Sequence, residues 1–81
     1  MLVWEAVEWD EHNEAHATRH GVSVAEIEQI LAARPAFRPD RRGSGDFLGE
    51  GTTDGGRRLR VVVAYDPVRR VLRPIAAWEL R

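Results

Sequence analysis

The segment RRLRVVVAY, residues 57–65, constrains the fold more than any other part of the sequence. Its odd-numbered positions are apolar from Leu59 to Tyr65, whereas its even-numbered positions begin with Arg58 and Arg60. Alternation with a period of two is typical of a β-strand that turns one face towards a core. Such a strand needs a second layer over its apolar face, so the segment predicts a sheet packed against other elements.

Three further segments have strand character. DFLGEGT, residues 46–52, is followed by the turn signal TDGG, and RVLRPIAAWEL, residues 70–80, is preceded by the turn signal DPVR. Pro74 cannot donate a ladder hydrogen bond, so it predicts that the last strand lies at an edge or carries a bulge there. VWEAVEW, residues 3–9, alternates loosely and predicts a short strand near the N-terminus.

Two short helices are predicted between the first strand and the others. The first runs from Glu11 to His20 and is followed by Gly21, a residue typical of a helix C-terminus. The second begins with the capping box SVAE at Ser23 and ends before Pro35. The predicted order is β-α-α-β-β-β, an α+β domain with both helices packed on one face of an antiparallel sheet.

Length and composition exclude several classes of protein. Residues 1–81 contain no linker or repeat, so we expect one small domain. The chain has no cysteine, which excludes disulfides and thiol nucleophiles. No apolar run approaches the length of about 18 residues that a membrane helix needs, and the N-terminal segment is acidic rather than basic. We therefore expect a soluble, cytoplasmic protein with no membrane partner.

The charges are divided unevenly along the chain. Residues 1–33 hold seven acidic residues and one Arg, a net charge of −6, whereas residues 34–81 hold eleven Arg and six acidic residues, a net charge of +5. The arginines cluster at the starts of the two strongest strands and in the loop before them. Such clusters are typical of phosphate binding, of an acidic protein partner or simply of a solvated face, and all three readings stay open.

The first predicted helix carries an unusual set of polar residues. It contains no Leu, Ile, Val or Phe, and Asn13, His16 and His20 share one of its faces with Trp9. A packed face of this kind needs a hydrogen bond for every polar group. We expect Asn13 and His16 to hydrogen-bond the helix to the sheet, and an additional role in facing a ligand stays open.

Three imidazoles lie four residues apart on this helix. A spacing of four allows two His ligands to share a metal, as in His12 and His16. However, no carboxylate or cysteine completes a recognisable ligand set, and HNEAH differs from the HExxH pattern. We therefore expect no metal and no cofactor. His20, beside Arg19 and Gly21, is either a cation at a helix C-terminus or a general acid–base group.

Three stretches follow one another in a recognisable order: VEWDEHNEAHATRHGVSVAEIEQIL, residues 7–31, GTTDGGRRLRVVV, residues 51–63, and RPIAAWE, residues 73–79. In this order and spacing they resemble the BrnT family of type II toxin–antitoxin toxins. The resemblance implies a RelE-like fold and a metal-independent endoribonuclease that cleaves RNA and arrests translation. It also implies a cognate antitoxin protein as partner, and a homodimer is a further partner state to consider.

The resemblance implies a mechanism in which the ribose 2′-OH attacks the adjacent phosphate. That reaction needs a proton acceptor, a proton donor for the leaving 5′-oxygen and cationic charge on the phosphoryl oxygens. His20 and His16 are the expected acid or base, Glu50 an alternative base, and Arg57 and Arg19 the phosphate stabilisers. The expected RNA-binding residues are Arg41, Arg42, Arg58, Arg60 and Arg73.

The sequence departs from the family pattern in two places. Relatives often carry an Arg where this chain has Thr52, and they commonly continue into an Arg/Glu-rich helix after the last strand, whereas this sequence stops at Arg81. These departures support an alternative, a catalytically silent BrnT-like protein that binds an antitoxin or RNA. A small structural or dimerising domain is the third hypothesis.

Overall fold

Two helices and five strands make up the structure, a computed structural model that describes residues 2–42 and 46–81. In chain order they are β1 (Ala6–Val7), α1 (Glu11–Ala17), α2 (Val24–Ala32), β2 (Arg38–Pro39), β3 (Phe47–Thr52), β4 (Arg58–Asp66) and β5 (Val71–Glu79). The strands form one sheet in the order β1-β5-β4-β3-β2. The predicted α+β class, the two helices and the three long strands are confirmed.

The sheet differs from the prediction at its two edges. β1 pairs with β5 in parallel, so the sheet is mixed rather than antiparallel. A short hairpin would force neighbouring strands to run antiparallel. The two helices separate β1 from the meander β3-β4-β5 along the chain, so β1 can pair with β5 in parallel. β2 is an additional strand at the other edge, where Arg38 and Pro39 pair with Leu48 and Phe47. Two residues are too few to produce a detectable alternation.

The core lies between the helices and one face of the sheet. Leu59, Val61 and Val63 of β4 are fully buried, and they pack in one cluster with Ile30 of α2 and Ala17 of α1. β3 crosses this face with glycines because α2 comes close to it. A Cβ at Gly51 would stand 3.3 Å from Ile30 Cδ1, tighter than most real contacts. Both helices therefore cover the same face of the sheet, as predicted.

Capping boxes start both helices. The Asp10 carboxylate accepts from the Asn13 backbone N–H, while the Asn13 side-chain oxygen accepts from the Asp10 backbone N–H; Ser23 and Glu26 repeat this arrangement at α2. The predicted end of the first helix at His20 is wrong by one turn, since α1 stops at Ala17 and residues 18–20 form a turn. Gly21 follows with φ +80°, a left-handed conformation that glycine adopts without strain.

A bulge in β5 shapes the surface on which α1 lies. Val62 pairs with Ala76 but Val63 pairs with Pro74, so Ile75 is the extra residue. β1 pairs only with Val71 and Leu72 on the other side of β5, and its register ends before Pro74. The prediction for Pro74 was an edge strand or a bulge. The bulge is confirmed, whereas β5 lies between β1 and β4 in the sheet. Beyond β1, the carbonyl groups of the bulge face α1.

Among the described residues, none of the helices has the length and apolar character needed to cross a bilayer.

Candidate functional site

The side chain of Asn13 fastens α1 to the bulge. Its Nδ2 donates to the backbone oxygens of Glu8 at 3.0 Å and Pro74 at 3.2 Å, and its Oδ1 accepts from Asp10 N at 2.6 Å. Asn13 is buried, with 6% of its surface exposed. All of its polar groups are thus satisfied, as a buried amide requires. The prediction that Asn13 hydrogen-bonds the helix to the sheet is confirmed.

His16 makes the second polar contact between α1 and β5. Its Nδ1 lies 3.0 Å from the Ile75 backbone oxygen. A carbonyl oxygen can only accept, so Nδ1 must carry the proton of this bond. In the neutral imidazole the other nitrogen, Nε2, then holds the lone pair. The contact both confirms the predicted hydrogen bond to the sheet and leaves Nε2 as a proton acceptor.

The imidazole of His16 borders a shallow cavity of about 290 Å³ between α1 and the sheet. We call it the α1–β5 cavity; its side-chain walls include His12, His16, Ala64 and Arg73. The rings of His12 and His16 have centres 6.4 Å apart and are tilted by 46°. Two imidazoles and one guanidinium therefore share one solvent-accessible depression.

Arg73 lines this cavity, and its guanidinium already forms ion pairs with two carboxylates. Its Nη1 donates to Glu8 Oε1 at 3.0 Å and its Nη2 to Asp10 Oδ2 at 2.7 Å. Bonds from Arg69 and Arg73 hold the pKa of Glu8 below its ordinary value, and bonds to Asp10 and Glu8 raise the pKa of Arg73. The guanidinium is fixed at the cavity, and its charge is shared with two carboxylates.

Arg57 lies at the opposite end of the helical pair, in a cluster around the Gly21 turn. Its Nη1 donates to both Glu26 oxygens at 2.9 Å and to Gly21 O at 3.3 Å, and its Nη2 donates to Glu79 Oε1 at 3.1 Å. We call these groups the Gly21 cluster. Hydrogen bonds to Glu26 and Glu79 raise the pKa of Arg57. A phosphate at this guanidinium would have to displace a carboxylate.

His20 and Arg19 stand on the exposed turn beside that cluster, not in the α1–β5 cavity. The Arg19 Nε donates to His20 Nε2 over 3.4 Å, near the upper limit of a hydrogen bond. Arg57 contacts the backbone oxygen of Gly21, the residue after His20, but within the described residues its side chain makes no hydrogen bond to His20 or Arg19. Only Arg57 is firmly held, however, and it is held as part of an ion-pair cluster.

Glu50 is the remaining expected catalytic group, and it too lies in an ion-pair cluster. It accepts from Arg60 Nε at 2.6 Å and from Arg38 Nη2 at 3.0 Å. Both hydrogen bonds lower the pKa of Glu50, and the bond from Arg60 has the larger effect. A carboxylate stabilised in its charged form is a weak proton acceptor, so the geometry does not favour Glu50 as the base.

Three of the five expected RNA-binding arginines share one cavity of about 380 Å³, which Arg41, Arg42 and Arg60 line together with Arg38. Arg58 and Arg60 belong to the sheet face opposite the helices, where Arg60 pairs with Glu50. Arg41 and Arg42 follow β2, with Arg42 4.0 Å from Asp40, and Arg73 lies at the α1–β5 cavity. Among the described residues, Arg41 and Arg58 form no ion pair. Three of the five residues therefore share a cavity, and Arg73 lines a different one.

Ion pairs between the two parts of the chain explain much of the charge asymmetry. Carboxylates of the acidic N-terminal part bind arginines of the basic C-terminal part in a set of long-range pairs: Glu5 with Arg70, Glu8 with Arg69 and Arg73, Asp10 with Arg73, and Glu26 with Arg57. Opposite net charges on the two parts were the signal for this arrangement. A phosphate, an acidic protein partner and a solvated face were the predicted alternatives, and pairing within the chain was not among them.

The α1–β5 cavity holds the groups that phosphodiester cleavage needs: an acceptor at His16 Nε2, a second imidazole and a guanidinium. His12 was absent from the expected catalytic set, although its spacing of four from His16 signalled that the two rings share a face. No group of three or more metal-ligating side chains occurs within the described ranges. Comparisons with protein-family models, curated proteins and solved structures gave no match to the chain.

Proposed function

We propose that this protein is a BrnT-like toxin with a RelE-like fold, a cytoplasmic endoribonuclease that arrests translation and is neutralised by a cognate antitoxin. The observation that carries the proposal is the bond from His16 Nδ1 to Ile75 O, which leaves Nε2 as a proton acceptor at the α1–β5 cavity. The order of helices and long strands agrees with the fold that the resemblance implies. His16 and Arg73 were expected site residues on sequence grounds.

In the proposed reaction, His16 Nε2 removes the proton of a ribose 2′-OH. The 2′-oxygen bonds to the adjacent phosphorus, and the bond from phosphorus to the 5′-oxygen breaks. His12, in its protonated form, gives a proton to the leaving 5′-oxygen. Arg73 exchanges one of its contacts to Glu8 and Asp10 for a phosphoryl oxygen and stabilises the charge there. The products are a 2′,3′-cyclic phosphate and a 5′-hydroxyl, and no metal takes part.

The first experiment tests the activity of the unaltered protein. Induced expression in a bacterial host is expected to stop growth, and the purified chain is expected to cleave RNA in buffer that contains EDTA. Mass spectrometry of the fragments should find 2′,3′-cyclic phosphate ends, since the nucleophile is the neighbouring hydroxyl. Fragments with 5′-phosphate ends, or cleavage that stops in EDTA, would contradict this mechanism.

A second candidate function is supported by the ion pairs. Arg38, Arg57, Arg60, Arg69, Arg70 and Arg73 all contact carboxylates of the same chain within 3.4 Å, so half of the twelve arginines already have an anionic partner. That arrangement favours a catalytically silent BrnT-like protein whose partner is the antitoxin. Normal growth during expression, together with copurification of the product of the adjacent reading frame, would favour this function over the nuclease.

A further inference from the structure

The environment of His16 has a feature that metal-binding histidines share. A histidine that binds a metal through one ring nitrogen almost always donates the N–H of its other nitrogen to a carbonyl, carboxylate or water. His16 already makes this bond, from Nδ1 to the Ile75 oxygen at 3.0 Å. Its Nε2 is therefore in the form that a metal requires, without any proton to displace from the neutral ring.

His12 can supply a second nitrogen to the same ion. It lies one helical turn before His16, and residues four apart on a helix have neighbouring side chains. Its exposed ring makes no hydrogen bond within the part of the chain that the structure describes. Two imidazoles bound tetrahedrally to Zn²⁺ have ring centres about 5 Å apart. The observed centres are 6.4 Å apart, so a side-chain rotation of the exposed His12 that shortens this distance by about 1.4 Å closes the pair.

The charges around the pair do not oppose a cation. Arg73 lines the same cavity, but its guanidinium binds the carboxylates of Glu8 and Asp10. Arg69 also binds Glu8, so two cations are balanced by two anions next to the histidines. The pair is open to solvent, and water can complete the coordination shell of the metal.

From these observations we propose that His12 and His16 form a two-imidazole site for a divalent transition metal of the zinc class. Imidazole nitrogen suits Zn²⁺, Ni²⁺ and Cu²⁺, whereas Mg²⁺ and Ca²⁺ prefer oxygen ligands. The sequence contains no complete ligand set and predicted no metal; the new information is the hydrogen bond that the Nδ1–H of His16 donates to Ile75 O. If His16 is also the base of the proposed nuclease, the metal occupies Nε2 and inhibits cleavage, a consequence that rests on the proposed function.

The test is calorimetric titration of the full chain with ZnCl₂ at neutral pH, without RNA. We expect one Zn²⁺ per chain and no heat with MgCl₂. His12→Ala is the decisive variant because the His12 ring holds no other described residue in place. It should weaken binding by roughly tenfold or more, since the loss of even a residue that only hydrogen-bonds a metal ligand costs about 10–100-fold. His16→Ala should act likewise.

His20→Ala is the matched control, since it removes the third imidazole of the chain and leaves the pair intact. Zn²⁺ affinity should be unchanged in this variant. The inference is overturned if the unaltered chain does not bind Zn²⁺, if His12→Ala binds it as tightly as the unaltered chain does, or if His20→Ala weakens binding equally. Because the readout contains no RNA, it is independent of whether the chain is a nuclease.

Discussion

The α1–β5 cavity and the Gly21 cluster contain the same residue types in different arrangements. Each combines a guanidinium with carboxylates and has histidine nearby. At the Gly21 cluster, Arg57 donates to two carboxylates and a carbonyl, while His20 beside it has only a long contact to Arg19. At the cavity the imidazole of His16 is the oriented group, because a bulge carbonyl fixes its protonated nitrogen.

The difference shows that the partner of a side chain decides its role. A histidine next to an arginine was the feature that suggested His20 as a catalytic residue. The stronger candidate is the histidine whose tautomer the backbone determines, since a proton acceptor must present a lone pair at a fixed position. The Gly21 cluster, by contrast, connects the start of α2 to the end of β5 through Arg57.

The largest expected effect separates the two histidines. His16→Ala should lower RNA cleavage by about 10²–10⁴-fold, the usual contribution of general acid–base catalysis. His20→Ala should change it by less than about threefold, because its ring lies outside the cavity. Initial rates on a fluorescent oligoribonucleotide measure both, with circular dichroism to confirm folding. Equal losses in the two variants would remove the distinction between the regions.

Asn13→Ala should produce the largest loss of stability. The substitution leaves the oxygens of Glu8 and Pro74 and the N–H of Asp10 without their partner, and we expect the free energy of unfolding to fall by about 2–4 kcal/mol. Urea denaturation measures this. Thr18→Ala is the control, because its hydroxyl, just after the end of α1, donates to the nearby Glu14 O rather than to the sheet, and it should cost less than about 0.5 kcal/mol.

Arg57→Gln should have a smaller effect, and on stability alone. Without the guanidinium, Glu26 and Glu79 lose their shared cation, so the unfolding midpoint should fall by less than in Asn13→Ala. RNA cleavage and Zn²⁺ affinity should stay unchanged, since both depend on the α1–β5 cavity. Loss of cleavage in a folded Arg57→Gln protein would return Arg57 to the catalytic set and place the site at the Gly21 cluster.

The smallest expected effect is the response to acid. The carboxyls of Glu8 and Glu26 have pKa values below their ordinary 4.5, Glu8 chiefly through Arg69 and Glu26 chiefly through the Ser23 backbone N–H. The unfolded chain therefore binds more protons near and below pH 4.5, and stability should fall as the pH drops through this range.

The loss of stability is measured as the change in the urea unfolding midpoint between neutral and acidic pH, and two variants assign it to the α1–β5 cavity or to the Gly21 cluster. Glu8→Gln should flatten the pH dependence that comes from the cavity, and Glu26→Gln the dependence that comes from the Gly21 cluster. A pH dependence that is identical in both variants and in the unaltered chain would show that neither carboxyl contributes.

Local patterns predicted the parts of the fold that depend on local physics. The alternation in residues 58–66, the capping box at Ser23 and the bulge at Pro74 all reflect the chemistry of a few neighbouring residues, and the structure confirms them. The parallel pairing of β1 and the two-residue strand β2 depend on contacts between distant segments. No local pattern contains that information.

The candidate site shows the same division. The face that carries Asn13 and His16 was predictable from helical spacing, and so was its need for hydrogen bonds. The identity of the acceptor, Ile75 O, depends on where the β5 bulge meets α1, and only that acceptor fixes the tautomer of His16. The ion pairs of the arginines were likewise out of reach, because Glu8 and Arg73 are 65 residues apart in sequence.

The most direct test of the account is the tautomer of His16 in solution. Long-range ¹H–¹⁵N correlation spectra of the imidazole rings distinguish a protonated from an unprotonated nitrogen at neutral pH. The account predicts that neutral His16 carries its proton on Nδ1 and leaves Nε2 bare, and that this preference is absent in His20. A His16 ring protonated on Nε2, or one that exchanges freely between both forms as His20 does, would contradict it.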